Sequence, residues 1–303
     1  MKLYTYYDLR YGPLTFDFAS FLVLSNALRQ KLKLKYLSVQ IINYHLRNLS
    51  IRERATSMAE KKFRVLNILC KLPHLIPEVI DFKLNNDSLD KINFPAFPGG
   101  YPPSPKQEFM LPYTMNHLRE FYNDDEINLR PFKSSEWANT LINNNFDSNT
   151  ISISLRNTKF DDIRNSNLEE WYKVYKTIKD SKYRPIIIPD IEDIMGEKKY
   201  LKFDWEVFIP ASMDIDLRLA LYERSFDNLA INNGTSSLLY FSNSFYKVFK
   251  FVTPGSNTAN TDYHKKILDI NWGENLKFSS KNHQIIIWDQ DSYKVIMENL
   301  GYL

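Results

Sequence analysis

Two stretches of the chain hold residue types suited to phosphate chemistry. The first is SLRNTKFDDIRNSNLEEW over 154–171, where Arg156, Lys159 and Arg164 alternate with Asn157, Thr158, Asn165 and Ser166. An arginine's planar fork makes paired, charge-assisted hydrogen bonds to phosphate oxygens, while asparagine and serine suit a phosphate or a sugar hydroxyl. The plainer reading is a solvated loop whose arginines pair with Asp161 and Asp162, with Ser166 or Asn167 capping the next helix. The second stretch is NLAINNGTSSLLYFSN over 228–243, an apolar run broken at Asn232, Asn233, Gly234, Thr235 and Ser236. There the carboxyl end of a strand would meet the amino end of a helix, where unpaired N–H groups and the helix dipole favour an anion. The alternative is a tight Asn-Gly turn with a helix cap. No lysine stands where a P-loop needs one, and no G-x-G-x-x-G occurs anywhere.

Transfer of a group to a hydroxyl also needs a base. Asp8 ends the first expected strand, Asp17 follows one loop later, and His45 comes after the second strand. A carboxylate or imidazole at such a rim can deprotonate an acceptor hydroxyl. Each has a plainer role: Asp8 paired with Arg10, Asp17 capping a helix, His45 in a polar loop. The histidines have no second His or Cys at metal-ligand spacing, so no metal site is expected. The D-x-D strings at 214–216 and 289–291 read as helix caps rather than chelators, and no G-x-S-x-G marks a hydrolase.

These residues need a scaffold, and hydrophobic periodicity supplies one. Strand, helix and strand over 2–9, 16–32 and 34–42 give the βαβ signature of a parallel sheet. A helix over 56–70 and a strand over 77–84 follow, then the Pro- and Gly-rich stretch 94–107, which reads as a connector or an acceptor-binding flap. A further strand is expected over 108–115 and a short helix over 116–122. The polar run ending near 150 marks a boundary, after which the pattern restarts. Strands at 151–155, 183–189, 228–232, 246–252 and 284–288 alternate with helices at 167–180, 213–225, 236–244 and 290–300. The expectation is an α/β protein of two Rossmann-like domains, 1–148 and 149–303. Their mostly parallel sheets would face a cleft, with ligands at the carboxyl ends of the strands.

Bulk composition narrows the function. A length of 303 residues allows two such domains. The net charge of +3 is close to balance, so no nucleic-acid partner is expected. The basic stretch 47–64 is the exception; it reads as a solvated helix, an anionic substrate site or a membrane-surface contact. A single cysteine, Cys70, excludes an intrachain disulfide. No signal-peptide pattern or membrane-length apolar run occurs, which points to the cytoplasm with peripheral membrane attachment left open.

The pattern resembles the two-domain glycosyltransferases called GT-B. ISISLRNTKFDDIRNSNLEEWYKVYKTIKDSKYRPIIIPD looks like the strand, basic loop, helix and strand that open the donor-binding domain of that fold. LALYERSFDNLAINNGTSSLLYFSNS looks like the heptosyltransferase stretch whose Gly/Thr turn holds the donor diphosphate. The resemblance is strongest over 150–250; before that it rests on alternation alone. It implies a nucleotide-sugar co-substrate, no cofactor and no required metal. Arg156 and Arg164 would meet phosphates, and Asn233, Gly234, Thr235 and Ser236 would hold the diphosphate or sugar. The acceptor would be a surface polysaccharide, lipopolysaccharide or related glycan or glycolipid. The chain departs from the pattern with Asn232 or Asn233 where an aspartate is usual and with DLRYGP in place of a glycine-rich first loop. Two other readings stand beside it. One is a GT-B-like binding or partner subunit without catalysis. The other is a nucleotide-sugar epimerase, for which Tyr172 and Lys176 have the Tyr-x-x-x-Lys spacing.

Overall fold

Strand β1, Lys2–Asp8, places Leu3, Tyr6, Tyr7 and even Asp8 out of contact with water. Burial on both faces is the mark of a parallel sheet covered by helices. The computed structural model describes residues 1–42, 46, 57–85, 92–99, 113–280 and 282–301. The chain forms two compact units, Met1–Lys133 and Ser134–Leu303.

In the first unit β1 is followed by α1 (Asp17–Lys31), β2 (Tyr36–Ile42), α2 (Met58–Arg64), β3 (Val79–Asn85) and β4 (Ala96–Phe97). The strands form one parallel sheet in the order β3-β2-β1-β4, with Lys2 opposite Tyr36 and Asp8 opposite Ile42. α1 is buried nearly all round, as its Phe18, Ala19, Phe21, Leu22 and Val23 require. The Tyr7 ring lies 4.4 Å from Phe18 and 5.0 Å from Phe21, and its hydroxyl donates to the Pro13 carbonyl at 2.9 Å. Gly12 is needed for space rather than for its φ: a Cβ there would stand 2.5 Å from Tyr7 Cζ. α2 opens on Ser57, whose hydroxyl accepts from the Glu60 N–H, and continues as a wider turn over Val65–Leu69.

Two expectations change here. Part of the Pro-rich stretch is a short edge strand, β4, paired with β1 at Tyr4 and Thr5. The segment 116–122 is a 3-10 helix, Met115–Phe121. The strand expected over 108–115 falls mostly outside the described residues, as does the basic run 47–56.

The second unit begins with α3 (Glu136–Asn145), a helix where the sequence pattern predicts only a polar boundary. It belongs to this unit because it docks on a later helix, α7 (Ile215–Arg224): Ser135 caps α3 and also donates from its N–H and hydroxyl to Asp216. β5 (Thr150–Ser154), α4 (Leu168–Lys179), β6 (Arg184–Ile188), α5 (Ile191–Met195) and α6 (Pro210–Met213) lead to α7. Then follow β7 (Asp227–Ile231), α8 (Ser236–Tyr240), β8 (Tyr246–Phe249), α9 (Thr261–Leu268), β9 (Gln284–Ile286) and α10 (Tyr293–Leu300). The five strands are all parallel, in the order β6-β5-β7-β8-β9. One core joins Ile151, Ile153, Trp171, Leu229, Ile231 and Phe249 to the inner sides of α4 and α10. No helix among the described residues is long and apolar enough to cross a membrane.

Candidate functional site at the carboxyl edge of the second sheet

The order β6-β5-β7-β8-β9 reverses direction between β5 and β7. Connections from these two strands leave to opposite sides, which opens a crevice at their carboxyl ends, and ligands of doubly wound sheets bind in such crevices. Arg164 lies across it. Its Nη2 donates to the Asn232 carbonyl, one residue beyond β7, at 2.9 Å, and its Nη1 donates to Thr258 Oγ1 in the β8–α9 loop at 2.9 Å. Three loops therefore meet at one guanidinium. Burial lowers its pKa, partly offset by Asp161, whose carboxylate stands 3.9 Å away.

Arg156 has a different station. It is 4% exposed, and its guanidinium donates to the carbonyls of Phe160 and Asp161 and to Asn165 Oδ1. Burial brings its pKa down to about 10, with Arg164 adding to the effect. The residue folds its own loop, in place of the acidic side chains expected as partners. Asn165 completes that fold by accepting from the Thr158 N–H at 3.1 Å and donating to its carbonyl at 2.9 Å. Asn157 turns the other way and donates to Asp193 in α5 at 2.8 Å. Lys159 is exposed, and its N–H donates to Glu192.

The turn 232–236 closes on itself. Asn233 Oδ1 accepts from Thr235 Oγ1 at 2.7 Å and from the Ser236 N–H at 3.2 Å, while Ser236 Oγ accepts from the Asn233 N–H at 3.2 Å. Gly234 is exposed and not in the left-handed region. α8 is shorter than the expected helix over 236–244, ending at Tyr240, whose hydroxyl donates to Asn232 Oδ1 at 3.3 Å.

The structure thus gathers Arg164, Asn165 and the 232–236 turn with Asp161, expected only as an ion-pair partner, with His264, and with Lys250, Ser256 and Thr258, which no sequence motif marks. Lys250 donates to the Asn165 carbonyl at 2.6 Å and pairs with Asp291 at 3.4 Å. The available signal was the hydroxyl-rich run Ser256-Asn257-Thr258 after β8, visible only once that loop is known to join the rim. Of the D-x-D strings, Asp214 caps α7 as expected. Asp291 does not cap α10, which uses Ser292; it accepts instead from the Asn167 N–H and the Trp171 indole. No group of three His, Cys, Asp or Glu among the described residues could hold a metal ion.

In the first unit, Asp8 is wholly buried and takes both the backbone N–H and the guanidinium of Arg10. Asp17 opens α1 half-buried and accepts from the Thr15 hydroxyl at 3.0 Å. Both stand at the carboxyl end of their sheet, as expected. His45 lies outside the described residues.

This architecture, two units each built on a parallel sheet, is that of GT-B glycosyltransferases. The chain matches the E. coli ADP-heptose LPS heptosyltransferase II with a TM-score of 0.52 at 12% identity, over 99% of this chain and 98% of that one. It matches the glycosyl transferase family 9 protein from Veillonella parvula with a TM-score of 0.50 at 12% identity, over 100% of this chain and 92% of that one. The expected GT-B fold is the fold of the chain. No protein-family model matches it, and no curated protein matches it by sequence.

Proposed function

We propose that the protein is a cytoplasmic glycosyltransferase that draws its sugar from a nucleotide-sugar donor held at the carboxyl edge of the second sheet. The observation that carries this reading is Arg164 bridging Asn232 and Thr258 at the β5/β7 reversal of a GT-B fold. The named substrate of the E. coli neighbour, ADP-heptose, is of the same donor class. Arg164 offsets the charge that builds on the nucleoside diphosphate as it leaves, without a metal ion. Arg156, Asn157, Lys159 and Asn165 shape and flank the loop that carries it. Asn233, Gly234, Thr235 and Ser236 hold the diphosphate or the sugar. The base that deprotonates the acceptor hydroxyl comes from Asp17, Asp8 or His45, the carboxylates and imidazole that follow the first two strands. The acceptor is a surface polysaccharide, lipopolysaccharide or related glycan.

A panel of UDP, GDP, CMP, ADP, dTDP and their sugars, scored by thermal shift, tests the donor site. A ligand at one hundred times its Kd stabilises the fold by about 2.7 kcal/mol, enough to read. One base should stand out in the wild type and lose its shift in Arg164→Ala. Unchanged binding in that variant would displace the site. The second reading, a binding subunit without catalysis, is favoured by the 232–236 turn, whose Thr235 hydroxyl and Ser236 N–H are already taken up by Asn233. A nucleotide sugar bound without hydrolysis or transfer would select it.

A further inference from the structure

Asp161 joins two loops that are distant in sequence. Its Oδ2 accepts from Ser256 Oγ at 2.6 Å and from Thr258 Oγ1 at 2.7 Å, both in the β8–α9 loop. The same oxygen stands 3.9 Å from Arg164 Nη1, which itself donates to Thr258 Oγ1 at 2.9 Å. Asp161, Arg164 and Thr258 therefore close a triangle of polar contacts. The backbone is held as well, since the Asp161 carbonyl accepts from Arg156 Nη1 at 3.0 Å.

Asp161 sits in the left-handed region, with φ 52° and ψ 57°. An L-residue adopts that conformation at some cost, and aspartate and asparagine do so more readily than most. The turn is what directs the carboxylate at the facing loop. Burial pushes the Asp161 carboxyl up, but the two hydroxyls and the nearby arginines outweigh it, so the group is held below the ordinary carboxylate range.

An arginine meant for an anion gains nothing electrostatically from a carboxylate beside it. The negative charge lowers the local positive potential and competes for the guanidinium. Its place must be explained by what it builds. We propose that Asp161 is a positioning residue: it locks the β8–α9 loop to the β5–α4 loop through Ser256 and Thr258, and so fixes the Arg164 guanidinium at the carboxyl end of β7. The role of Arg164 toward phosphate rests on the donor-site reading given above; the lock between the loops does not.

The two contributions of Asp161 have opposite signs, which makes them separable. In Asp161→Asn the amide oxygen has the lone pairs to accept from both hydroxyls, and asparagine tolerates the left-handed backbone, while the charge is gone. In Asp161→Ala both lock and charge are lost. Binding of UDP, GDP, ADP and inorganic pyrophosphate would be measured by calorimetry for the wild type, both variants and Arg164→Ala. Amide exchange would be followed over 156–166 and 253–260 in the same proteins.

Asp161→Asn is expected to bind the preferred anion as tightly as the wild type or tighter. Asp161→Ala is expected to bind it about tenfold more weakly, a loss of about 1.4 kcal/mol, despite having one negative charge fewer. Exchange in both loops should quicken in Asp161→Ala and stay near the wild-type rate in Asp161→Asn. Tighter binding in both variants would show that Asp161 acts by charge alone and would overturn the proposal. If none of the four probes binds the wild type, amide exchange decides the lock on its own. Unchanged exchange over 253–260 in Asp161→Ala would then overturn it.

Discussion

The indole N–H of Trp171 donates to Oδ2 of Asp291 at 3.0 Å, across 120 residues of sequence. Trp171 is fully buried in the core of the second unit, and Asp291 is 3% exposed. The same carboxylate accepts from the Asn167 N–H at 2.7 Å and pairs with Lys250 at 3.4 Å. One acidic side chain thus ties the start of α4 to the segment before α10 and neutralises the lysine beneath the rim.

Removing that carboxylate strands the indole and the Asn167 N–H and takes the counter-ion from Lys250. Asp291→Ala should cost about 3 kcal/mol, the range for breaking a buried ion pair by deleting one side. Asp291→Asn keeps an acceptor for the indole and the Asn167 N–H and should cost less. Urea unfolding followed by far-UV circular dichroism checks the order. A loss under about 0.5 kcal/mol for the alanine variant would show that water replaces the carboxylate, as at an exposed pair.

A second polar fixture lies within the sheet. Asn228 in β7 is fully buried; its amide donates to the carbonyls of Tyr222 at 2.9 Å and Phe245 at 2.7 Å, and its Oδ1 accepts from the Ser152 hydroxyl in β5. Asn228→Ala leaves two carbonyls and a hydroxyl without partners. It should destabilise the second unit by about 3 kcal/mol, whereas Ser152→Ala should cost about 1 kcal/mol. Equal effects in denaturant titrations would mean that the amide's bonds to Tyr222 and Phe245 are energetically idle.

The scaffold was legible where burial and periodicity agree. β1, β2, β5, β6 and β7 are buried along nearly their whole length, and their Ile, Val, Leu and Tyr runs announce it. α3 was hidden because Asn143, Asn144 and Asn145 sit at its end and read as a linker, and because it buries only Ala138 and Ile142. α9 was hidden for a similar reason: it buries only His264 and Leu268. Arg164 stood out by residue type. Asn232 stood out with its turn, but Thr258 did not, and the meeting of all three depends on the strand order, which no local pattern in the sequence encodes. Asp291 looked like a helix cap because capping is the commonest use of an aspartate before a helix. Its real partner is a tryptophan 120 positions earlier.

Cys70 offers a chemical probe of the first unit. Burial pushes its thiol up to about 11 from an ordinary value of 9.0. At pH 8 the thiolate fraction of the folded protein is then roughly a hundredth of that of an ordinary thiol, since only the thiolate attacks. Alkylation by iodoacetamide should be slower than for a model thiol by about that factor and should recover in urea. Fast labelling of the native protein would show that the segment around Val65–Leu69 opens readily.

His264 sets a pH dependence whose sign is fixed. The ring is 2% exposed, lies 4.3 Å from Phe251 and 5.9 Å from Trp288, and donates from Nε2 to the Phe251 carbonyl at 2.6 Å. That bond fixes the tautomer and leaves Nδ1 buried without a hydrogen-bond partner. Burial brings its pKa from 6.5 down to about 4; the Phe251 carbonyl opposes the shift and the Arg164 charge adds to it. Between those values the unfolded chain takes up a proton that the folded one refuses, so stability is intact above pH 6.5 and falls as the pH drops toward 4. The shift corresponds to about 3 kcal/mol, developed across that window. His264→Gln keeps a donor for the Phe251 carbonyl and cannot titrate. It should therefore be less stable than the wild type at pH 8 but lose less on acidification, so the two stability curves converge toward pH 4. Curves that stay parallel from pH 8 to pH 4 would mean that the imidazole becomes protonated in place, with Nδ1 finding an acceptor inside the fold.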